Sequence, residues 1–458
     1  MSGPAAIDIS ELVANAKLGK QHVAILLLSA MMLFIDGFDL GTVNVAAPAI
    51  LRAFHAEKRQ MGVVLGAGFL GILIGCWLYG YVGDRWGRKI GSIWACLCYT
   101  LPAFMITQAG SLEQIMIWRF LAGIGLGGVM PTTLALLAES APKRYRASFA
   151  MLALFGFLAG TALIGLIAAR FIPEFGWSAV FYAGGIAGAV LTVILIFCLP
   201  ESIQWLALHK PEAPVLRRQT QRLMAGTILA PDTRLFVPQQ EQPKGLVLVE
   251  LFKGRQRLAT VLLWVAYFAE SMTYITFASW LAVLLETAGL SPVQASITFS
   301  YAGGGGIVVA LALMRPLDKI GPMASVVTAL VAIAAMITLG TPGLPQWLIM
   351  ASAICAHSFC SATHASLNGT VGLFYPTRIR SNGVGWASAM GRIASMIGPV
   401  VVGYLLSAKL PLQDLLYFLA MPYFVLVLTC IGLGRLYQRN YRPASETTTT
   451  LEPAPAAE

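Results

Sequence analysis

Two carboxylates, Asp36 and Asp39, interrupt an apolar run from His22 to Ile50. A charge in a hydrocarbon interior is costly, so intramembrane acids call first for a functional explanation. Helical spacing puts this pair at i and i+3, on one face. Burial disfavours the charged form of a carboxylate, so either acid could load a proton on one side and release it on the other. The structural alternative is a neutral, hydrogen-bonded acid. At 1.5 Å per residue the pair lies about 20–26 Å from His22, past the midplane toward the outer surface.

Other polar residues stand in similarly apolar surroundings. Arg392 can grip a carboxylate through two parallel N–H bonds and keeps its charge, which suits an acidic substrate; its structural alternative is a pair with an acid such as Glu270. Arg119 can pair with Asp36 or Asp39, as a conformation-sensitive contact or as an ordinary interhelical bridge. His357 and His364 are seven apart, with Cys360 and Ser361 between them on one helical face. That pattern fits a polar cavity wall able to bond a ring hydroxyl or relay protons, against the plainer reading of packed histidines. Trp264, Tyr267, Tyr274, Phe277, Trp280 and Trp386 could clamp an aromatic ring by offset or edge-to-face stacking, although membrane helices use aromatics more often for packing and interfacial belts.

These residues need a membrane to hold them. The 458-residue chain is 57% hydrophobic and 11% charged, too apolar for a soluble protein of that length. Runs near the spanning length of about 20 residues predict twelve helices near 23–47, 61–82, 90–109, 114–138, 147–170, 177–199, 257–285, 294–314, 323–341, 346–373, 384–407 and 414–434. The fold class is therefore an all-α polytopic membrane protein. With the N-terminus inside, the inner segments hold Lys17, Lys20, Arg85, Arg88, Lys89, Lys143, Arg144, Arg146, Arg315, Lys319, Arg378, Arg380, Arg435, Arg439 and Arg442, and the central loop adds more. The outer loops hold only Arg52, Lys58, Arg59, Arg170 and Lys409. This bias predicts both termini in the cytoplasm and explains the net charge of +10 without a nucleic-acid partner.

The organisation is duplicated. Asp84, in Gly80-Tyr-Val-Gly-Asp84-Arg85-Trp-Gly87-Arg88-Lys89, lies 234 positions before Asp318 in Arg315-Pro-Leu-Asp318-Lys319. Pro142-Lys-Arg144-Tyr-Arg146 has the same offset from Pro376-Thr-Arg378-Ile-Arg380. Two six-helix bundles related by a pseudo-twofold along the membrane normal follow. The same offset takes Asp36 to Glu270, an acid within the seventh span, whereas Asp39 meets Thr273. Predicted boundaries are a cytoplasmic segment 1–22, a first bundle 23–199, a Pro-, Gln-, Lys- and Arg-rich linker 200–256, a second bundle 257–434, and a disordered cytoplasmic tail 435–458.

Several formal motifs carry nothing. Gly123, Gly125 and Gly128 match G-x-G-x-x-G, but inside an apolar helix with no preceding strand. The second span's glycines, Gly62 to Gly80, read as helix-packing positions. The Asn368 sequon lies within a span. The seven cysteines all fall in predicted spans and form no C-x-x-C, so neither a disulfide framework nor a metal site is suggested. No cofactor motif, cleaved signal peptide or enzyme signature is present.

The Gly80–Lys89 loop resembles the signature of the major facilitator superfamily, and the resemblance extends over essentially the whole chain. Within it, the sequence is similar to the aromatic acid:proton symporters. The residues that carry this are Asp36-Gly-Phe-Asp39, Arg119 to Gly128 with Pro131, Glu139-Ser140, Pro200-Glu201-Ser202, Phe374 to Trp386, Gly391-Arg392 and Gly398-Pro399. The resemblance implies proton-driven uptake of benzoate-like acids by alternating access across the inner membrane, and important roles for Asp36, Asp39, Arg119, Glu139, Arg380 and Arg392. Glu270 and the histidine pair stand outside that signature.

The combined expectation assigns proton coupling to Asp36, Asp39 and Glu270. Substrate binding falls to Arg392, Arg119, His357, His364, Tyr267, Tyr274 and Trp386. A cytoplasmic gate comprises Asp84, Arg85, Arg88, Glu139, Arg146, Glu201, Asp318, Arg378 and Arg380, with solvated loop charges as the plainer reading. The expected partners are an aromatic carboxylate, protons and the lipid bilayer, with the protein working as a monomer. The rivals are a carrier or exporter of another organic anion and, more remotely, a transporter-like sensor, which would need a sizeable soluble output domain.

Overall fold

The computed structural model describes residues 6–223, 233–238, 247–254, 256–376 and 379–440. Twelve long helices dominate them. The first six are Lys20–Ala53, Lys58–Trp86, Arg88–Thr107, Leu112–Ser140, Arg146–Phe175 and Ser178–Cys198. The second six are Gln256–Thr287, Pro292–Ile320, Met323–Leu339, Gln346–Val371, Arg380–Ser407 and Leu412–Asn440. Eleven contain apolar stretches long enough to cross a membrane, and Met323–Leu339 is a shorter apolar helix. Their length and composition make this a multi-pass membrane protein.

The packing repeats between halves. The first span lies against the fifth, the second against the fourth, and the third against the fourth and sixth. The seventh lies against the eleventh, the eighth against the tenth, and the ninth against the tenth and twelfth. This equivalence gives the two pseudo-symmetric six-helix bundles that the loop motifs predict.

One boundary differs in a way that moves the acids. The first helix runs on through Pro48 to Ala53, and Arg52 is the one charged residue in a last turn otherwise made of Ile50, Leu51 and Ala53. Asp36 consequently sits at the middle of the helix rather than beyond it, with Asp39 one turn further on. Glu270 lies at a comparable depth in Gln256–Thr287.

The halves meet through the second and eleventh spans and through the fifth and eighth. A Cβ on Gly62 would lie 2.7 Å from the Pro399 carbonyl oxygen and 3.2 Å from the Gly403 Cα. Small residues thus allow near backbone-to-backbone contact. A Cβ on Gly303 would be 3.2 Å from the Ala162 Cα. These approaches fall in the parts of the helices remote from the linker, here termed the far end. Toward the linker end, the second and eighth spans expose apolar residues such as Trp77 and Val308.

The linker end has structure of its own. Residues Ala6–Asp8 form a parallel two-stranded sheet with Arg234–Phe236. Ile9 and Val13 of the short helix Ile9–Ala14 are fully buried, and that helix lies against the linker helix Ile203–His209. The tail from 441 onward and Arg378 lie outside the described residues, as does the side chain of Asp318.

Candidate functional site

The first span supplies Asp36 and Asp39, and their environments differ. Asp39 is buried and accepts from Arg119 Nη1 at 2.7 Å, with both side chains only 3% exposed. Arg119 stands on the fourth span, which glycines bring close to the second. Gly71 and Gly75 meet the carbonyls of Phe120 and Ile124, while Gly123 and Gly127 meet those of Gly68 and Ile72. The formal nucleotide motif is therefore a two-way helix-packing surface. Arg119 Nε is buried without a hydrogen-bond partner. Asp36 makes no ion pair among the described residues, and both Asp39 and Arg392 act on it electrostatically.

Arg392 lies midway along Arg380–Ser407 and is partly buried. Among the described residues it has no carboxylate within ion-pair distance. Its charge reaches Asp36 and Cys76 in the first half and His364 in its own. Arg392 thus acts on the intramembrane acid of the opposite bundle without a salt bridge to it among the described residues.

The seventh and tenth spans form a polar seam. Tyr267 Oη donates to Asn368 Oδ1 at 2.7 Å. Fully buried Glu270 accepts from Ser271 Oγ at 2.9 Å, and its Oε2 lies 3.1 Å from His364 Nδ1. That separation permits an ion pair, although the ring nitrogen is off the line of a good hydrogen bond, and Glu270 Oε1 has no partner. Glu270 therefore meets a histidine rather than Arg392. The Tyr274 ring centroid lies 5.6 Å from those of both His357 and His364. His357 is also 6.1 Å from Phe299 and almost fully buried.

The candidate aromatic clamp separates into parts. Trp280 is fully buried, and its Nε1 donates to the Pro399 carbonyl at 3.0 Å, fastening the seventh span to the eleventh. Phe277 is likewise fully buried. Trp386 stacks on Trp264 at 6.0 Å, two turns nearer the linker end than Arg392. Tyr274, Tyr267 and the histidines remain together beside Glu270.

A charged cluster sits at the linker end. Arg88 donates from Nη1 to Asp84 Oδ1 at 2.6 Å, and from Nη2 and Nε to Glu139 Oε1 at 2.8 and 3.0 Å. Glu201 Oε1 accepts from the backbone N–H groups of Arg88, Lys89 and Ser202 at 2.7, 3.1 and 2.9 Å. It thereby caps the positive end of the third span. Gly87 makes the turn with φ 106°, and a Cβ there would strike the Glu201 carboxylate, so glycine is required twice over. Burial raises the Glu201 carboxyl above its ordinary 4.5, partly opposed by the three N–H donors and reinforced by the Glu139 charge. Trp205 Nε1 donates to the Asp84 carbonyl at 2.8 Å, tying the linker to the same turn.

All of these bonds join elements of the first half and its linker, so the cluster braces that bundle. Arg85 and Arg146 are exposed. Exposed Arg380 donates from Nε to the Tyr375 carbonyl at 3.4 Å, within the second half.

Sequence reasoning missed a bridge at the far end. Arg52 Nη1 lies 2.5 Å from Glu286 Oε2, joining the last turns of the first and seventh spans. The two positions are separated by 234 residues, the repeat offset, which was the signal available to find them. Arg59 N also donates to Ser407 Oγ at 2.8 Å across the same boundary. Ser271, the immediate polar neighbour of Glu270, was not singled out either, and Asn368, the partner of Tyr267, was read only as a sequon.

Comparison with known proteins places this geometry in context. The Major Facilitator Superfamily profile matches residues 29–399. A gallate transporter of Pseudomonas putida is 30% identical over 94% of this chain and 96% of its own. A 4-hydroxybenzoate transporter of Acinetobacter baylyi is 29% identical over 91% and 92%. A 3-(3-hydroxy-phenyl)propionate transporter of Escherichia coli is 30% identical over 82% and 85%. Among solved structures, a D-xylose-proton symporter superposes with a TM-score of 0.70 at 16% identity, covering 93% of this chain and 99% of that one. That likeness establishes the fold alone.

Proposed function

Because this chain belongs to the major facilitator superfamily, we propose that it imports an aromatic carboxylate together with protons by alternating access. The observation that carries this reading is Arg392. A permanently charged group within the membrane-spanning region, without a carboxylate partner among the described residues, suits an anionic cargo that completes it. The relatives named for gallate, 4-hydroxybenzoate and hydroxyphenylpropionate supply the aromatic class.

Asp36 is the proposed proton carrier. It is the anion that acts on Arg392 from the opposite bundle, while Asp39 is held by Arg119. Proton uptake by Asp36 removes a competing anion from the field of Arg392, which takes the cargo's carboxylate, and the set of Asp36, Arg392 and cargo is then neutral. A neutral site lowers the electrostatic cost of rearranging inside the membrane. Tyr267, Tyr274 and the two histidines provide the adjoining aromatic and polar wall.

The bridge between Arg52 and Glu286 and the glycine contacts join the halves at the far end, which supports a site that opens toward the linker end. The Lys and Arg bias makes that end cytoplasmic, with both termini inside the cytoplasmic membrane. A monomer contains the complete proposed site. A carrier or exporter of another organic anion would use the same guanidinium without needing the aromatic wall.

The test is uptake by purified protein in proteoliposomes, using benzoate, hydroxybenzoates, phenylpropionates and non-aromatic carboxylates. Saturable uptake of aryl acids is expected, with KM raised about tenfold or more by Arg392→Lys, because lysine lacks the planar fork. Uptake confined to non-aromatic anions, or an unaltered KM in Arg392→Lys, would overturn the assignment.

A further inference from the structure

We infer that Glu270 and His364 form a hydroxyl-recognition element, in which His364 contacts a phenolic group on the cargo and Glu270 is a positioning residue. The inference rests on the transport reading above and adds a determinant of selectivity to it. Glu270 has no exposed surface, and its Oε2 lies 3.1 Å from His364 Nδ1. A carboxylate beside one ring nitrogen holds a proton on that nitrogen and leaves the other to meet a hydroxyl, as acceptor in the neutral ring and as donor in the charged one. Nδ1 is buried, yet the His364 side chain is 39% exposed. The accessible edge is therefore the one bearing Nε2.

The direction of that edge follows from packing. Asn368, one turn along the tenth span, accepts from Tyr267, and Tyr274 lies against the His364 ring. This face of the tenth span is thus turned toward the polar seam with the seventh. Arg392 acts electrostatically on His364 from the eleventh span. A fixed cation and a ring nitrogen beside it match a cargo with a carboxylate at one position and a hydroxyl, which both donates and accepts, at another. An unsubstituted ring offers Nε2 no hydrogen-bond partner. Ser271 bonds the same Glu270 oxygen, which limits the freedom of the carboxylate.

The experiment measures the KM ratio for cargo pairs differing by one hydroxyl, benzoate against 4-hydroxybenzoate and 3-phenylpropionate against 3-(3-hydroxyphenyl)propionate. Full-length protein in proteoliposomes is used at fixed pH. Wild type should favour the hydroxylated member of at least one pair. His364→Phe, which retains a ring against Tyr274 but removes both nitrogens, should reduce that preference by about two- to tenfold, the range of one neutral hydrogen bond. The double variant Glu270→Gln/His364→Phe should show the same loss, and it removes the buried charge should the single variant fold poorly. Glu270→Leu should lower the ratio as well, whereas Glu270→Gln, which keeps an acceptor for Nδ1–H, should retain most of it.

An unchanged ratio in both His364 variants overturns the inference. So does an equal rise in KM for both members of each pair, the outcome expected of a packing residue or a proton relay. Absence of aryl-acid uptake by wild type would instead sink the transport reading itself, and this inference with it.

Discussion

Asp39 and Arg119 form a buried 2.7 Å ion pair, whereas Asp36, on the same helical face, has no ion-pair partner among the described residues. The two acids that look alike in sequence therefore have different surroundings. Asp39 and Arg119 compensate each other within the first bundle, and Asp36 is left facing the charge of Arg392.

Breaking the Asp39–Arg119 pair should damage folding first. Removing one partner of a buried pair strands the other charge, at a cost of about 3–5 kcal/mol. Asp39→Asn should sharply lower the thermal midpoint in detergent, and Asp39→Asn/Arg119→Gln should recover much of the loss. Equal midpoints for Asp39→Asn and wild type would make the pair energetically idle.

Glu201 gives a pH-dependent signature outside the membrane spans. Its carboxyl is raised above the ordinary value of 4.5 by burial. A raised acid favours the folded state below its unfolded pKa and loses that contribution as pH rises through the folded pKa. The thermal midpoint of wild type relative to Glu201→Gln should therefore fall as pH rises from about 4.5 through that window, then level off. A flat difference across the window, or one rising with pH, would show that the three N–H donors outweigh burial.

The Arg52–Glu286 bridge should set the balance between conformations rather than overall stability. Its side chains are 55% and 19% exposed, and exposed pairs contribute about 0–1 kcal/mol. Glu286→Gln should shift the population toward a far-end-open form by no more than about fivefold, and Arg52→Glu/Glu286→Arg should reverse the shift. Spin-label distances between the second and eleventh spans would report it. An identical distance distribution in wild type and Glu286→Gln would mean the glycine contacts close that end alone.

The twelve spans and the duplication were legible because bilayer-length apolar runs and repeated loop charges are local in the sequence. The same reading placed Asp36 and Glu270 at equivalent positions. It left open whether Arg119 meets Asp36 or Asp39, since that depends on the rotation of the fourth span against the first. It likewise offered Trp280 as a clamp residue, although its N–H is consumed by the Pro399 carbonyl. Pairing of Ala6–Asp8 with Arg234–Phe236 was hidden because neither short segment has a pattern that specifies its remote partner. The extension of the first helix to Ala53 was hidden by Pro48 and by the charge of Arg52.

The most direct test of the central claim is accumulation of a labelled hydroxybenzoate in proteoliposomes under an imposed inward proton gradient, comparing wild type with Asp36→Asn. Exchange of labelled for unlabelled substrate is measured without a gradient on the same preparations. Asp36→Asn should retain exchange and lose gradient-driven accumulation, since Arg392 remains while the proton carrier is gone. Accumulation by Asp36→Asn to the wild-type level, with the same dependence on the gradient, would contradict the assignment of the proton to Asp36.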